Sequence, residues 1–127
     1  EGWKNSVLMY RGHRENMRIV AEISKNQPAD KLAWFFDFDP AGLSLALDQG
    51  KGSVLIPEEW HRFNAQTPFN QARTYRNQLA ALRTLKRRAI GELLSIFEHM
   101  EREELALMQE HLVRRAIPLT ALPLASV

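Results

Sequence analysis

Asp37 and Asp39 carry the strongest chemical signal in this chain: two carboxylates, two residues apart, close the apolar run Leu32-Ala33-Trp34-Phe35-Phe36. In an extended strand alternate side chains share a face, so the pair points one way and Trp34, Phe36 and Phe38 point the other. Two carboxylates converging at the end of a buried strand are costly unless something compensates their charge. Mg²⁺, with Mn²⁺ as its substitute, suits such a pair, because one or two carboxylates hold it while water and phosphate oxygens complete its shell. The alternative is structural: Asp39 caps a helix that Pro40 opens. That accounts for Asp39 and leaves Asp37 without a role, so the spacing favours the metal. Removing one carboxylate of the pair is expected to relieve repulsion and leave stability unchanged or raised.

Arg11-Gly12-His13 is a second candidate, since a cation and a backbone turn at a strand end can receive a phosphate. An ordinary turn with Gly12 at positive φ fits those residues equally well. A third candidate depends on residues 70–88 forming one helix. At about 100° per residue, Arg73, Arg76, Arg83 and Arg87 then fall in one stripe, thickened by Lys86 and Arg88. Such a stripe could track a nucleic-acid backbone. No aromatic residue interleaves with these cations, so a solvated face is the simpler reading. Glu101, Glu103 and Glu104 read as solvated helical surface, as do His61, His99 and His111. Tyr10, Phe97 and Met108 read as core.

The elements that must position these residues alternate in type. Ser6–Tyr10 reads as a short buried strand, and Met17, Ile19, Val20 and Ile23 give residues 14–25 a one-sided helical pattern. Asn26-Gln27-Pro28-Ala29-Asp30 is a breaker. Residues 31–38 form a second strand, continuously apolar as a central parallel strand is. Residues 40–47 form a helix stopped at Gly50, Ser53–Ile56 a third strand, and Pro57-Glu58-Glu59-Trp60 opens a short helix. Such β-α-β-α-β order predicts parallel strands with right-handed crossovers and a ligand site beyond their carboxyl ends. Arg11, Gly12, His13, Asp37 and Asp39 all fall there.

Beyond Asn64 the character changes to two or three helices over 70–115, with Ile90, Leu94, Phe97, Leu105, Met108 and Leu112 as one apolar stripe. The proline-broken segment 117–124 is expected to lie extended against the body.

Composition narrows the class. The 127 residues are 45% apolar and 25% charged, as in one folded domain with a core of its own. The absence of cysteine excludes disulfides and thiolate metal sites. A net charge of +2 and a pI near 9.2 permit nucleic-acid binding without arguing for it. The chain shows no signal peptide and no run of about 20 apolar residues, so a cytoplasmic protein without membrane contact is expected. No glycine-rich phosphate loop of the Walker or dinucleotide type is present, which weighs against nucleotide binding by those routes.

Asp37-Phe38-Asp39-Pro40-Ala41-Gly42 resembles the Asp-x-Asp-Pro-x-Gly signature of Toprim domains in the topoisomerase VI A subunit and its meiotic relatives. It is still more similar to the Toprim-like C-terminal domain of the DNA-cleaving subunit of bacterial Wadjet plasmid-defence systems. Leu8-Met9-Tyr10-Arg11-Gly12-His13 sits where that lineage has a strand running into a glycine turn, and Met108-Gln109-Glu110 with Leu112 is similar to a Gln-Glu element near the domain's end. The three pieces span residues 6–112; the first is fairly specific and the others count through their order.

The resemblance implies an α/β Toprim-like (Rossmann-like) parallel core over residues 1–64, with its first strand missing, and a helical appendage over 65–127 packed on the same domain. It implies Mg²⁺-dependent cleavage of duplex DNA by a parent protein that acts in plasmid or phage defence. Asp37 and Asp39 would share the metal with a glutamate from an earlier strand, and Arg11 would steady the phosphate. Five residues before Ser6 are too few for that strand and its helix, so Glu1 is a poor match and the chain reads as a fragment, inactive alone. A topoisomerase-type tyrosine would belong to a separate upstream domain and is not Tyr10. Partner subunits and a homodimer of the full-length parent are compatible with this family. A non-catalytic Toprim-like scaffold that binds DNA or a partner subunit is the competing expectation, and an unrelated α/β phosphate-binding domain is a third.

Overall fold

A computed structural model describes the backbone of Leu8–Arg11 and residues 32–124. Its strands are β1 (Leu8–Arg11), β2 (Leu32–Phe35), β3 (Ser53–Pro57) and β4 (Leu119–Pro123), in that spatial order. The first three run parallel, with Leu8 opposite Leu32 and Ala33 opposite Ser53. β4 runs antiparallel to β3, with Val54 opposite Leu122 and Ile56 opposite Thr120. The sheet is therefore mixed. The expected parallel order holds for β1 to β3, and the extended tail is a fourth strand. Its prolines are tolerated because, among the described strands, β4 lies at the edge of the sheet.

β2 is shorter than expected, ending at Phe35, and all four of its residues are buried. Continuous burial is what a parallel strand covered on both faces requires. The chain stays extended past its end: Phe38 pairs with Leu107 through N–H to O bonds of 2.8 and 3.0 Å. Trp34 and Phe36 stack with ring centroids 6.5 Å apart, as expected for residues on one face. The helix expected over 14–25, the breaker at 26–30, and Gly12 and His13 lie outside the described residues.

Helix α1 (Pro40–Gln49) starts because Asp39 is extended and accepts from the Gly42 N–H, while Pro40 supplies a fixed φ at the first helical position. It stops at Gly50, whose φ of 64° turns its N–H onto the Leu47 carbonyl. The segment after β3 forms only a 3₁₀ turn, Trp60–Arg62. α2 (Ala72–Arg76), α3 (Leu79–Arg88), α4 (Gly91–Glu103) and α5 (Gln109–Arg114) follow.

One core joins the sheet to the helices: Trp34, Leu43, Ala46 and Ile56 belong to the same cluster as Leu82, Leu85, Leu93, Ile96, Phe97 and Met100. Each large side chain so enclosed is worth about 1.5–3 kcal/mol relative to exposure. The apolar stripe differs from the expected one. Ile90 is 61% exposed ahead of α4, while Leu93, Ile96, Phe97 and Met100 form the buried face. Leu105 is buried in the turn after α4, and Met108 is only half-buried. His99 is buried, contrary to expectation, because it lies three residues beyond Ile96 on the inward face. Its Nε2 lies 2.7 Å from the Phe63 carbonyl oxygen.

Candidate functional site

The two aspartates sit where β2 gives way to α1, and the local sequence explains how closely. Gly42 brings the first turn of α1 against the backbone of Asp37, so near that a Cβ there would collide with the Asp37 carbonyl oxygen. Only glycine allows this approach. Asp39 is 2% exposed, and each oxygen of its carboxylate accepts one hydrogen bond. Its Oδ1 accepts from the Gly42 N–H at 2.7 Å, and its Oδ2 accepts from Gln78 Nε2 at 3.2 Å. Gln78 also uses Oε1 to accept from the Ala41 N–H at 2.9 Å. The amides that open α1 are thus all taken within the chain.

Asp37 is half-buried and held from another direction. Asn70 accepts from the Ala106 N–H at 2.8 Å and donates to the Glu104 carbonyl at 3.0 Å, which fixes the turn after α4. That turn delivers Leu107 to Phe38, and two residues on the Gln109 N–H donates to Asp37 Oδ1 at 2.7 Å. Asp37 and Asp39 then line one cavity of about 260 Å³ together with Gln78, Gln109, Met108 and Glu110.

Burial raises the Asp39 carboxyl above its ordinary pKa, the Gly42 hydrogen bond opposes this, and the nearby charge of Asp37 raises it further. Among the described residues no three acidic, histidine or cysteine side chains group as a metal site. The oxygens present nevertheless fit a hard cation. Carboxylate oxygens keep a second lone pair after one hydrogen bond, and Gln109 Oε1 is buried with no hydrogen-bond partner. A buried carbonyl oxygen left without a partner costs about 1–3 kcal/mol.

The other candidates fare differently. Arg11 is described as the last residue of β1, opposite Phe35, at the end of the sheet where Asp37 follows. The single arginine stripe is not formed, because residues 77–78 separate α2 from α3. Arg73 and Arg76 lie on α2, and Arg76 is paired with Glu104 at 2.9 Å. Arg83 and Arg87 lie exposed on α3 one turn apart, beside Lys86, which pairs with Glu101 at 2.6 Å. Glu101 and Glu104 are thus ion-pair partners, and Glu103 accepts from the Ala65 N–H. A larger cavity of about 570 Å³, lined by Glu58, Glu59, Arg62, Phe63, Ile117 and Pro118, lies elsewhere. Its Arg62 is engaged by Glu59 at 3.0 Å.

Sequence reasoning missed Gln78, which sits among helix formers with no local signal. Gln109 is visible in the sequence only as part of a Gln-Glu element. Among the described residues no helix is long and apolar enough to cross a membrane. No curated protein and no solved structure matches the chain. A family profile matches residues 1–121, and on that match the chain belongs to the family described as the domain of unknown function DUF7281.

Proposed function

We propose that the Asp37–Asp39 pocket holds Mg²⁺ or Mn²⁺ and that this chain is the Toprim-like part of a DNA-cleaving protein, with a role in plasmid or phage defence. The observation that carries this reading is that Asp37 and Asp39 line one cavity beyond the carboxyl end of β2 together with Gln109, whose buried Oε1 has no hydrogen-bond partner. Asp37 and Asp39 are the residues that would hold the ion. Such an ion would supply a Lewis acid that could polarise a phosphoryl oxygen and offset charge developing on the phosphate. Asp37 faces the cavity from a half-buried position, and Asp39 keeps its orientation through Gly42 and Gln78. Arg83 and Arg87 supply exposed cations for a phosphate backbone, with Arg73 as a further contact. The test is Mg²⁺-dependent cleavage of supercoiled plasmid by the protein in its full natural length, with loss of cleavage in Asp37→Asn.

A second reading has one specific observation in its favour. Both Asp39 oxygens already accept a hydrogen bond, Oδ1 from the Gly42 N–H that caps α1 and Oδ2 from Gln78 Nε2, and no group of three acidic, histidine or cysteine side chains forms a metal site among the described residues. A non-catalytic Toprim-like scaffold that binds duplex DNA or a partner subunit would retain DNA binding in the same assay and leave the plasmid intact.

A further inference from the structure

The break between α2 and α3 has a chemical consequence. Asn77 and Gln78 close α2, with N–H bonds to the Arg73 and Tyr75 carbonyls, and Gln78 then stands at the start of α3. Its side chain makes no cap bond to its own helix. It reaches instead across 39 residues of sequence to Asp39, donating through Nε2 and accepting the Ala41 N–H through Oε1. Asp39 is otherwise fixed by a single bond, from the Gly42 N–H to Oδ1. A carboxylate held at one oxygen can still rotate about its terminal torsion, which is broad for aspartate. Held at both oxygens, it cannot.

We propose that Gln78 is a positioning residue for the acidic pocket: it locks the Asp39 carboxylate in the plane that presents it beside Asp37. The assignment of the pocket to a divalent cation rests on the function proposed above, whereas the lock on Asp39 does not. Gln78 acts through Asp39, since its amide nitrogen and oxygen are taken by Asp39 and the Ala41 N–H.

Two variants of the full chain separate the bonds. Gln78→Met removes both, and Gln78→Glu keeps an acceptor for Ala41 but loses the donor to Asp39. Amide hydrogen exchange without metal reads the result at Gly42, whose acceptor is Asp39 rather than Gln78. The expected outcome is Gly42 exchange faster by about two- to tenfold in both variants, as for loss of one ordinary hydrogen bond. Ala41 should speed up in Gln78→Met alone. Unchanged Gly42 exchange in both variants overturns the lock.

A Mn²⁺ titration then follows the ion. Gln78→Met should weaken binding several-fold in the natural chain and not at all when Asp39→Ala is already present, the non-additivity expected of residues acting as one unit. Equal weakening in both backgrounds overturns the positioning role. Absence of Mn²⁺ binding to the natural chain overturns the metal reading, and the Gly42 result still decides the lock.

Discussion

The Gln109 backbone N–H donates to Asp37 Oδ1 at 2.7 Å, joining residues 72 apart in sequence. Gln78 makes the corresponding connection to Asp39. Each aspartate at the end of β2 is therefore held by a glutamine from the helical half of the chain. The strand supplies the charge, and the helices decide its geometry.

The closest backbone approach in the pocket predicts an asymmetry between two glycines. Gly42→Ala forces a Cβ into the Asp37 carbonyl oxygen and should cost about 1–3 kcal/mol, as overpacking does, while loosening the pocket. Gly50→Ala meets nothing within 4 Å and suffers only from its positive φ, about 1–2 kcal/mol. Urea unfolding gives both costs, and Asp37 and Gln109 amide shifts should move in the first variant alone. Unmoved shifts in Gly42→Ala would contradict the packing described.

Asp39 predicts a pH dependence of stability. Its carboxyl is raised in the folded chain, chiefly by burial, so the folded state keeps a proton that the unfolded state has released. The resulting stability is fully present below the unfolded pKa and is lost as pH rises through the folded one. Asp39→Asn keeps a capping side chain and should flatten that slope. Asp39→Ala should cost about 1 kcal/mol through the lost cap. Unfolding midpoints across the acid range check both, and an unchanged slope in Asp39→Asn would refute the assignment.

For Asp39, the cap bond to Gly42 sets a cost against the relief of repulsion that the spacing alone suggests, so its removal is expected to lower stability rather than leave it unchanged or raised. Repulsion was legible from the spacing; the cap on Gly42 was legible too, yet Gln78 was not. The order β1-β2-α1-β3 followed from local signals: buried apolar runs, Asp39-Pro40 as a start, Gly50 as a stop. The division of 70–88 did not, because Asn77 and Gln78 are no breakers by type, and long-range bonds to Asp39 and Ala41 accompany the break there. β4 was concealed by Pro118 and Pro123, since proline argues against a strand until an edge position is known.

The exposed arginines of α3 predict a salt effect. Arg83→Gln with Arg87→Gln should weaken duplex DNA binding regardless of sequence and reduce the slope of log K against log salt by about 0.9 for each phosphate no longer neutralised. Arg76→Gln should change little, since Glu104 already holds that side chain. Fluorescence anisotropy at several salt concentrations reads both. Equal slopes in the natural chain and both variants would remove α3 from the DNA surface.

Mn²⁺ titration followed by paramagnetic broadening of backbone amides tests the metal pocket most directly. Broadening should centre on Asp37, Asp39, Gly42 and Gln109 and be abolished by Asp37→Asn, with binding weak because water fills most of the shell. Broadening centred on Glu101–Glu104, or the same broadening around Gly42 and Gln109 in Asp37→Asn, would contradict the assignment of the ion to the two aspartates.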